Sequence, residues 1–268
     1  MRYNVAVLPD QFPVLALGGP TALFEYGGLT FLTDPTFDAP GDYPRGDGRV
    51  LTKTSPSTVP STGIGTIDAV LLSHDEHPDN LDASGRSLLA DVPLTLTTPG
   101  GSQRLSGQLG TKVKGLTDWE SFELPSPQTG TVTVTGVPAI HGPGTRAEVE
   151  PVTGQVVGFV LTGNGLPTVY ISGDNASLTA VKEVFDRFGP VDTAILFAGA
   201  PRFPALFDNQ LIVLDSTMAV EATRMLDAQR VVPVHYDGWA HFTEGRGELE
   251  HAFDAAGLSA RLDWGGRA

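Results

Sequence analysis

The chain has 268 residues, 40% of them hydrophobic and 18% charged, the balance of a globular protein large enough to bury a substantial core. A formal charge of −14 disfavours nonspecific partnership with nucleic acid or an anionic membrane. With zero cysteines, disulfides and thiolate ligands are excluded, so any bound metal takes nitrogen and oxygen. No apolar run approaches the ~18 residues of a membrane span. The opening MRYNVAVLPDQFP lacks the basic start and apolar core of a signal peptide, so the expectation is a cytoplasmic chain acting on a small molecule, alone or as a homo-oligomer. The 32 glycines and 21 prolines point to many turns and a strand-rich fold.

In chain order, Val5–Leu8 and Val14–Leu17 are short apolar segments of strand character. Thr21–Tyr26 and Leu29–Thr33 flank Gly27-Gly28 and predict a hairpin, which Pro35 ends just after Asp34. Residues 37–65 are rich in Pro, Gly, Ser and Thr, with Arg45, Arg49 and Lys53 among them. They read as a long connection, either a substrate loop or a surface insertion.

Val70, Leu71 and Leu72 form a buried strand that stops at Ser73. Within nine further residues come His74, Asp75, Glu76, His77, Asp79, Asn80 and Asp82. The whole chain holds only six histidines, so two of them beside several carboxylates at a strand end point to a metal site or catalytic cluster.

Asp82–Ala90 reads as a helix with Leu88 and Leu89 inward, and Leu94–Thr98 as a strand stopped by Pro99-Gly100-Gly101, after which Ser102 caps a short helical segment. Val113–Leu116, Ser121–Leu124 and Thr131–Val137 are further strands, the last running into His141. Val156–Thr162 and Thr168–Ser172 bracket Asn164-Gly165 as a hairpin whose second strand leads to Asp174. Leu178–Phe188 is an amphipathic helix closed by Gly189-Pro190, and Thr193–Phe197 a buried strand. Ala219–Leu226 is a helix capped by Ser216 or Thr217, Arg230–Val234 a strand ending in His235, and Glu244–Ala256 a final helix before Gly257. No internal repeat or linker divides the chain, so one domain is expected over residues 1–268.

Four strands thus end in a potential ligand: His74 with its loop, His141, Asp174 and His235. Ends of neighbouring strands converge, and a rigid sheet is a suitable platform for a pre-organised site. Imidazole and carboxylate donors suit zinc, manganese or iron. An aspartate such as Asp174 can bridge two ions with water between them, and Asp34 can orient a ligating imidazole from behind.

The segments ALFEYGGLTFLTDPTFD, DAVLLSHDEHPDNLD, VPAIHGPG, VYISGDN and VVPVHYDGWAHF, in that order, resemble the metallo-β-lactamase fold hydrolases, and most closely the branch that includes the ascorbate-6-phosphate lactonases. The resemblance implies an α/β fold: a four-layer αββα sandwich, two β-sheets face to face with helices outside and metals at one edge. It also implies a divalent cofactor of one or two ions, held by His74, His77, Asp79, His141, Asp174 and His235.

The family's first motif, His-x-His-x-Asp-His, is altered here. His77-x-Asp79-Asn80 keeps the spacing of its second half, with one extra residue after His74 and Asn80 in place of the last histidine. His77 is expected as the second ligand, and Glu76, which keeps the two-residue step from His74, is the alternative. Asn80 is a weak ligand, so the position formed by Asp79, Asn80, Asp174 and His235 is either vacant or loosely held. Asp79 can also hold the attacking water as general base. His241, six residues after His235, can replace the missing ligand or donate a proton to the leaving group. Asn175 and Trp239 can shape the pocket, Arg146 reads as a surface arginine, and His251 has no assigned role.

The activity implied is metal-dependent hydrolysis of a lactone, ester or phosphodiester. The competing readings are a non-catalytic metal-binding or scaffold member of the fold and an iron-dependent redox member.

Overall fold

The computed structural model describes residues 12–45 and 48–266, so the strand expected at Val5–Leu8 lies outside the described residues. β1 (Val14–Gly18), β2 (Thr21–Tyr26) and β3 (Leu29–Thr33) form an antiparallel meander. Gly27 and Gly28 turn β2 into β3 at φ 61 and 76, a left-handed pair that a side chain would strain. β4 (Gly41–Pro44) and β5 (Val50–Lys53) pair with each other as a separate ribbon.

β6 (Ala69–Leu71) then joins β3 in parallel. The helix α1 (Ala83–Leu88) leads to β7 (Thr95–Thr97), and α2 (Pro99–Leu109) to β8 (Val113–Gly115), completing a six-stranded sheet in the order β1-β2-β3-β6-β7-β8.

A second six-stranded sheet takes up the rest of the chain. β9 (Ser121–Ser126) and β10 (Gly130–Pro138) pair antiparallel, and α3 (Arg146–Thr153) precedes β11 (Val157–Gly163) on the other side of β10. β12 (Val169–Ile171), α4 (Leu178–Phe188), β13 (Thr193–Phe197), α5 (Ser216–Met225) and β14 (Arg230–Val234) follow as strand–helix–strand units, and α6 (Arg246–Ala255) closes the chain. The strand order is β14-β13-β12-β11-β10-β9.

Strand periodicity sorts the apolar residues into layers. In β3, Phe31 faces the other sheet while Leu32 faces α1 and α2. In β13, Ile195 and Phe197 enter the space between the sheets, and Ala194 and Leu196 meet α4, α5 and α6. Such strands are buried on both faces and therefore read as unbroken apolar runs. The result is the expected αββα sandwich.

Its elements depart from the sequence reading in informative places. Thr98, not Ser102, caps α2: its Oγ1 accepts from Gly101 N at 2.9 Å, and Pro99 occupies the first helical turn, where no N–H is needed. α3 was not foreseen because Pro151 lies inside it, yet Thr145 and Glu148 form a reciprocal capping box. Asp215 caps α5 in place of Ser216 or Thr217, accepting from Met218 N at 2.8 Å. Glu244 stays outside α6 and accepts from Ser216 N at 2.7 Å. Within the 37–65 connection, β4 and β5 went unseen because they are a two-stranded ribbon with Val50 left exposed. No helix among the described residues is long and apolar enough to cross a membrane.

Candidate metal centre

The strand ends meet at one edge of the sandwich. Val157 N donates to Ser73 O (3.1 Å) and His235 N to Gly19 O (2.6 Å), tying the segments there together. Three non-glycine residues with left-handed backbone stand at this edge, Asp34 (φ 25), Ala200 (φ 50) and His235 (φ 57). Gly199 is required: a Cβ there would stand 2.1 Å from His235 O.

One ligand atom each from His74, His77, His141 and Asp174 lies within 4.8 Å of the others, and the same is true of Asp79, Asp174 and His235. Asp174 belongs to both groups. All six residues are buried.

Hydrogen bonds fix which ring nitrogens face the centre. Ile212 O can only accept, so His141 Nδ1 at 2.7 Å carries the proton and its Nε2 lone pair faces Asp174 Oδ2, 3.6 Å away. A chain with a single direction runs through the first motif. Arg45 Nη2, a donor only, is 2.6 Å from His77 Nε2; His77 Nδ1 then donates to His74 Nε2 (2.8 Å), and His74 Nδ1 to Ser73 Oγ (3.0 Å). Ser73 Oγ donates to Asp34 Oδ2 at 2.7 Å, while Ser73 N donates to Asp34 Oδ1 at 2.6 Å. Asp34 therefore orients His74 through a serine.

Burial pushes the His74 imidazolium down to about 4, and it also holds His77 well below, and His141 below, the ordinary histidine value. These three rings are neutral near pH 7, the form in which imidazole binds metal. Burial lifts Asp34 to about 8 against the opposing bonds from Ser73.

The second group is rich in carboxylate. His235 Nε2 lies 3.4 Å from Asp79 Oδ2 and its Nδ1 3.7 Å from Asp174 Oδ1. Burial opposes charge on His235, but Asp174, Asp79 and Asp34 outweigh it and raise its pKa. Burial likewise opposes the Asp79 carboxylate, and His241 and His235 more than compensate, holding it well below the usual range. Carboxylates buried this deeply require a cation beside them.

Both ring nitrogens of His235, Asp79 Oδ1, Asn80 Oδ1 and His241 Nδ1 are buried without a hydrogen-bond partner among the described residues. Buried polar atoms are normally satisfied, so a cluster of orphans around convergent donors fits an ion. The donor set, with three imidazoles and a carboxylate in one group and two carboxylates and an imidazole in the other, suits zinc, manganese or iron.

The remaining candidates are placed as follows. Glu76 is not in either group; its carboxylate pairs with Arg104 at 3.0 Å. Asn80 turns its amide nitrogen toward Asp174 Oδ1 (3.2 Å) and Asp34 Oδ2 (3.4 Å). His241 Nε2 meets Asp79 Oδ2 at 2.9 Å, and its ring stacks on Phe203 with centroids 5.4 Å apart. Asn175 is structural, its Oδ1 accepting from Ile140 N and Ser177 N at 3.0 Å each. Arg146 pairs with Asp118 at 2.8 Å. Trp239 packs on Lys53 and Tyr43, with its ring centroid 6.2 Å from that of His241, and His251 lies on α6 beside a groove against α5, away from the centre.

Sequence reasoning gave no role to Arg45 and Lys53, whose basic side chains in a loop of small residues were the available signal. The void among the candidate ligands measures about 10 Å³, the size of an ion or a water. A neighbouring cavity of about 260 Å³ shares Arg45 and His77 with it. A cavity of about 640 Å³ lies near Tyr26 and Leu166, and its lining includes none of these groups.

A two-sheet sandwich with a His/Asp cluster of this kind at its edge defines a metallo-β-lactamase fold protein. The β-lactamase superfamily domain family matches residues 30–236, and the chain belongs to that family. It is similar to a UPF0173 metal-dependent hydrolase of Pelotomaculum thermopropionicum, 33% identical over 44% of this chain and 48% of that protein. The chain thus spans about half the length of that relative. A UPF0173 metal-dependent hydrolase of Methanosphaerula palustris is 28% identical over 70% of this chain and 76% of its own. Among solved structures, the isothiocyanate hydrolase from Delia radicum gut bacteria shares the fold with a TM-score of 0.76 at 21% identity, over 93% of this chain and 94% of that one.

Proposed function

We propose that this chain is a metal-dependent hydrolase of a small ester, lactone or phosphodiester. The observation that carries the reading is the convergence of His74, His77, His141 and Asp174, and of Asp79, Asp174 and His235, on one buried edge. The first group would hold one divalent ion and the second a further, weaker one, with zinc the best match to a set of three imidazoles and a carboxylate. A divalent ion there lowers the pKa of water toward neutrality and polarises a carbonyl or phosphoryl oxygen.

The chain's own groups supply the rest. Asp79, paired with His241 at 2.9 Å, is placed to take the proton of an attacking water, and His241 to pass a proton to the leaving group. Asn80 donates to Asp174 Oδ1 at 3.2 Å and so limits how far that carboxylate can turn. Ser73 and Asp34 hold His74 in the tautomer whose Nε2 faces the centre. Phe203 and Trp239 keep the His241 ring from bulk water.

Elemental analysis and a screen of aryl esters, lactones and phosphodiesters test the reading together. One to two zinc, manganese or iron ions per chain, with turnover lost to chelator and regained on adding metal, is the expected result. Absence of metal, with no thermal stabilisation by added divalent ions, overturns it.

A further inference from the structure

The candidate centre is shut from solvent. His74, His77, Asp79, His141, Asp174 and His235 are each at most 4% exposed, and the void among them, about 10 Å³, has room for a single water. The smallest ester or lactone is several times that size. A hydrolase built on this centre must therefore open before substrate reaches the ligands.

Two stretches wall the void besides those that bear the ligands. One is the β4–β5 ribbon, through Arg45 and Leu51, and the other is the segment between β13 and α5, through Pro201, Phe203 and Ile212. The ribbon is tied down at several points. Lys53 makes a buried ion pair with Asp82 (3.2 Å), Thr54 N donates to Gly238 O (2.8 Å) and Ala240 N to Thr52 O (2.9 Å). Segment 201–212 is tied at its ends and to itself. Ala200 N donates to Leu214 O (3.1 Å), Thr243 Oγ1 to Ala200 O (2.5 Å) and Ile212 N to Pro201 O (3.4 Å). Between those ends the backbone bonds turn inward, from Leu206 N to Phe203 O (2.8 Å), Asn209 N to Leu206 O (2.9 Å) and Gln210 N to Phe207 O (3.0 Å). A loop with closed ends and internal bonds can move as a unit.

Three consecutive residues of the segment, Phe207 (φ 48), Asp208 (φ 51) and Asn209 (φ 63), hold the left-handed conformation that glycine adopts freely and other residues resist. Such strain persists only where the surroundings over-determine it. Phe203 and Phe207 do so here: both pack against the core between the sheets, and Phe203 stacks on His241 with centroids 5.4 Å apart. Two aromatic rings thus hold down a backbone that favours release.

We propose that segment 201–212 is a lid on the metal centre, closed in this structure, whose release carries Phe203 off His241 and admits substrate. The inference rests on the hydrolase reading. Ile212 is the fixed end, since its carbonyl oxygen accepts from His141 Nδ1 at 2.7 Å. A centre that binds only when open has its apparent affinity reduced by the fraction that is closed, so a shift of the lid shifts binding.

Asp208 is exposed, and replacing it changes the backbone preference while leaving the two rings in place. Asp208→Val puts a β-branched residue at positive φ and disfavours the closed lid, whereas Asp208→Gly favours it. The test is stopped-flow binding of acetohydroxamate, a metal chelator too large for the void, to the cobalt-loaded full chain, read by the visible absorption of cobalt. Amide hydrogen exchange of residues 202–211 is measured on the same proteins. Expected are association about tenfold faster in Asp208→Val and about threefold slower in Asp208→Gly, exchange moving the same way, and cobalt content unchanged. Asp208→Gly decides alone should the valine variant not fold. The inference is overturned if wild type binds no hydroxamate, if the variants bind within about twofold of wild type, or if their exchange matches it. Faster binding in Arg45→Ala with both Asp208 variants unchanged places the entrance at the cavity of about 260 Å³ and overturns it as well. A wild-type chain that takes up no cobalt overturns the hydrolase reading, and the lid with it.

Discussion

His74 Nε2 and His77 Nδ1 stand 2.8 Å apart, while the Glu76 carboxylate between them in sequence points to Arg104 Nη2 at 3.0 Å. Two nitrogens sharing a tetrahedral zinc at ordinary bond lengths lie roughly 3.3 Å apart, so a small opening of this pair would admit an ion. The Asp75 carboxylate, gripped by Arg104 Nε and Nη2 at 3.0 and 2.6 Å, takes up the extra residue of the loop and directs Glu76 outward. His77→Ala should lose most bound metal, and Glu76→Gln should keep it. Metal content of the two purified variants checks this, and the reverse pattern would mean that the loop ligates through Glu76.

Asp174 is the carboxylate common to both groups of candidate ligands. Asp174→Ala is expected to reduce turnover by at least ~100-fold, since even outer-shell losses at metal sites reach that scale. It should also lower metal content for both positions while far-ultraviolet circular dichroism stays unchanged. Near-normal turnover in a folded variant would show that Asp174 only shapes its turn.

Much of this was legible in the sequence. The runs Val70–Leu72, Thr193–Phe197 and Arg230–Val234 are buried on both faces, so their apolar character survives any choice of register. Strands of that kind also announce their ends, and His74, Asp174 and His235 stand at or just past them. What stayed hidden depends on contacts remote in sequence. β5 is held in place by Asp82 and Trp239, which no local pattern in 37–65 reveals. The partnership of Arg45 with His77 spans 32 residues and follows from the path of that ribbon. The helix starts at Pro99 and Arg146 were obscured by residues, Pro-Gly-Gly and Pro151, that more often end helices than belong to them.

Lys53 offers a test of the ribbon's anchorage. Burial depresses its pKa, with Asp82 and Asp38 opposing, and its ammonium sits 3.2 Å from Asp82 Oδ2 with almost no solvent access. Asp82 also caps α1 through Gly85 N (2.8 Å) and accepts from Asp38 N (2.6 Å). Lys53→Met leaves that carboxylate buried without its counter-charge, and destabilisation of about 3–5 kcal/mol is expected. Urea unfolding measures it. A loss below about 1 kcal/mol would mean that the two backbone donors alone satisfy Asp82.

Asp34 provides the pH signature of the metal-free protein. Its folded pKa is lifted to about 8 by burial, with the nearby Asp174 adding to the rise and bonds from Ser73 and Asn80 opposing it, against an ordinary value of 3.8. Between those values the native state holds a proton that the unfolded chain has released. Stability from this group is therefore complete below about pH 4 and is lost as pH rises toward 8. Asp34→Asn cannot ionise, so it removes the slope while keeping the side chain's size. In chelator, the melting temperature of wild type should fall relative to Asp34→Asn on going from pH 5 to 8, whatever constant offset the substitution brings. The difference should shrink once metal is restored, because a cation in the nearby centre favours the carboxylate form. Parallel melting curves for the two metal-free proteins across that range would show that Asp34 is already ionised by pH 5, with Ser73 and Asn80 fully supporting its charge.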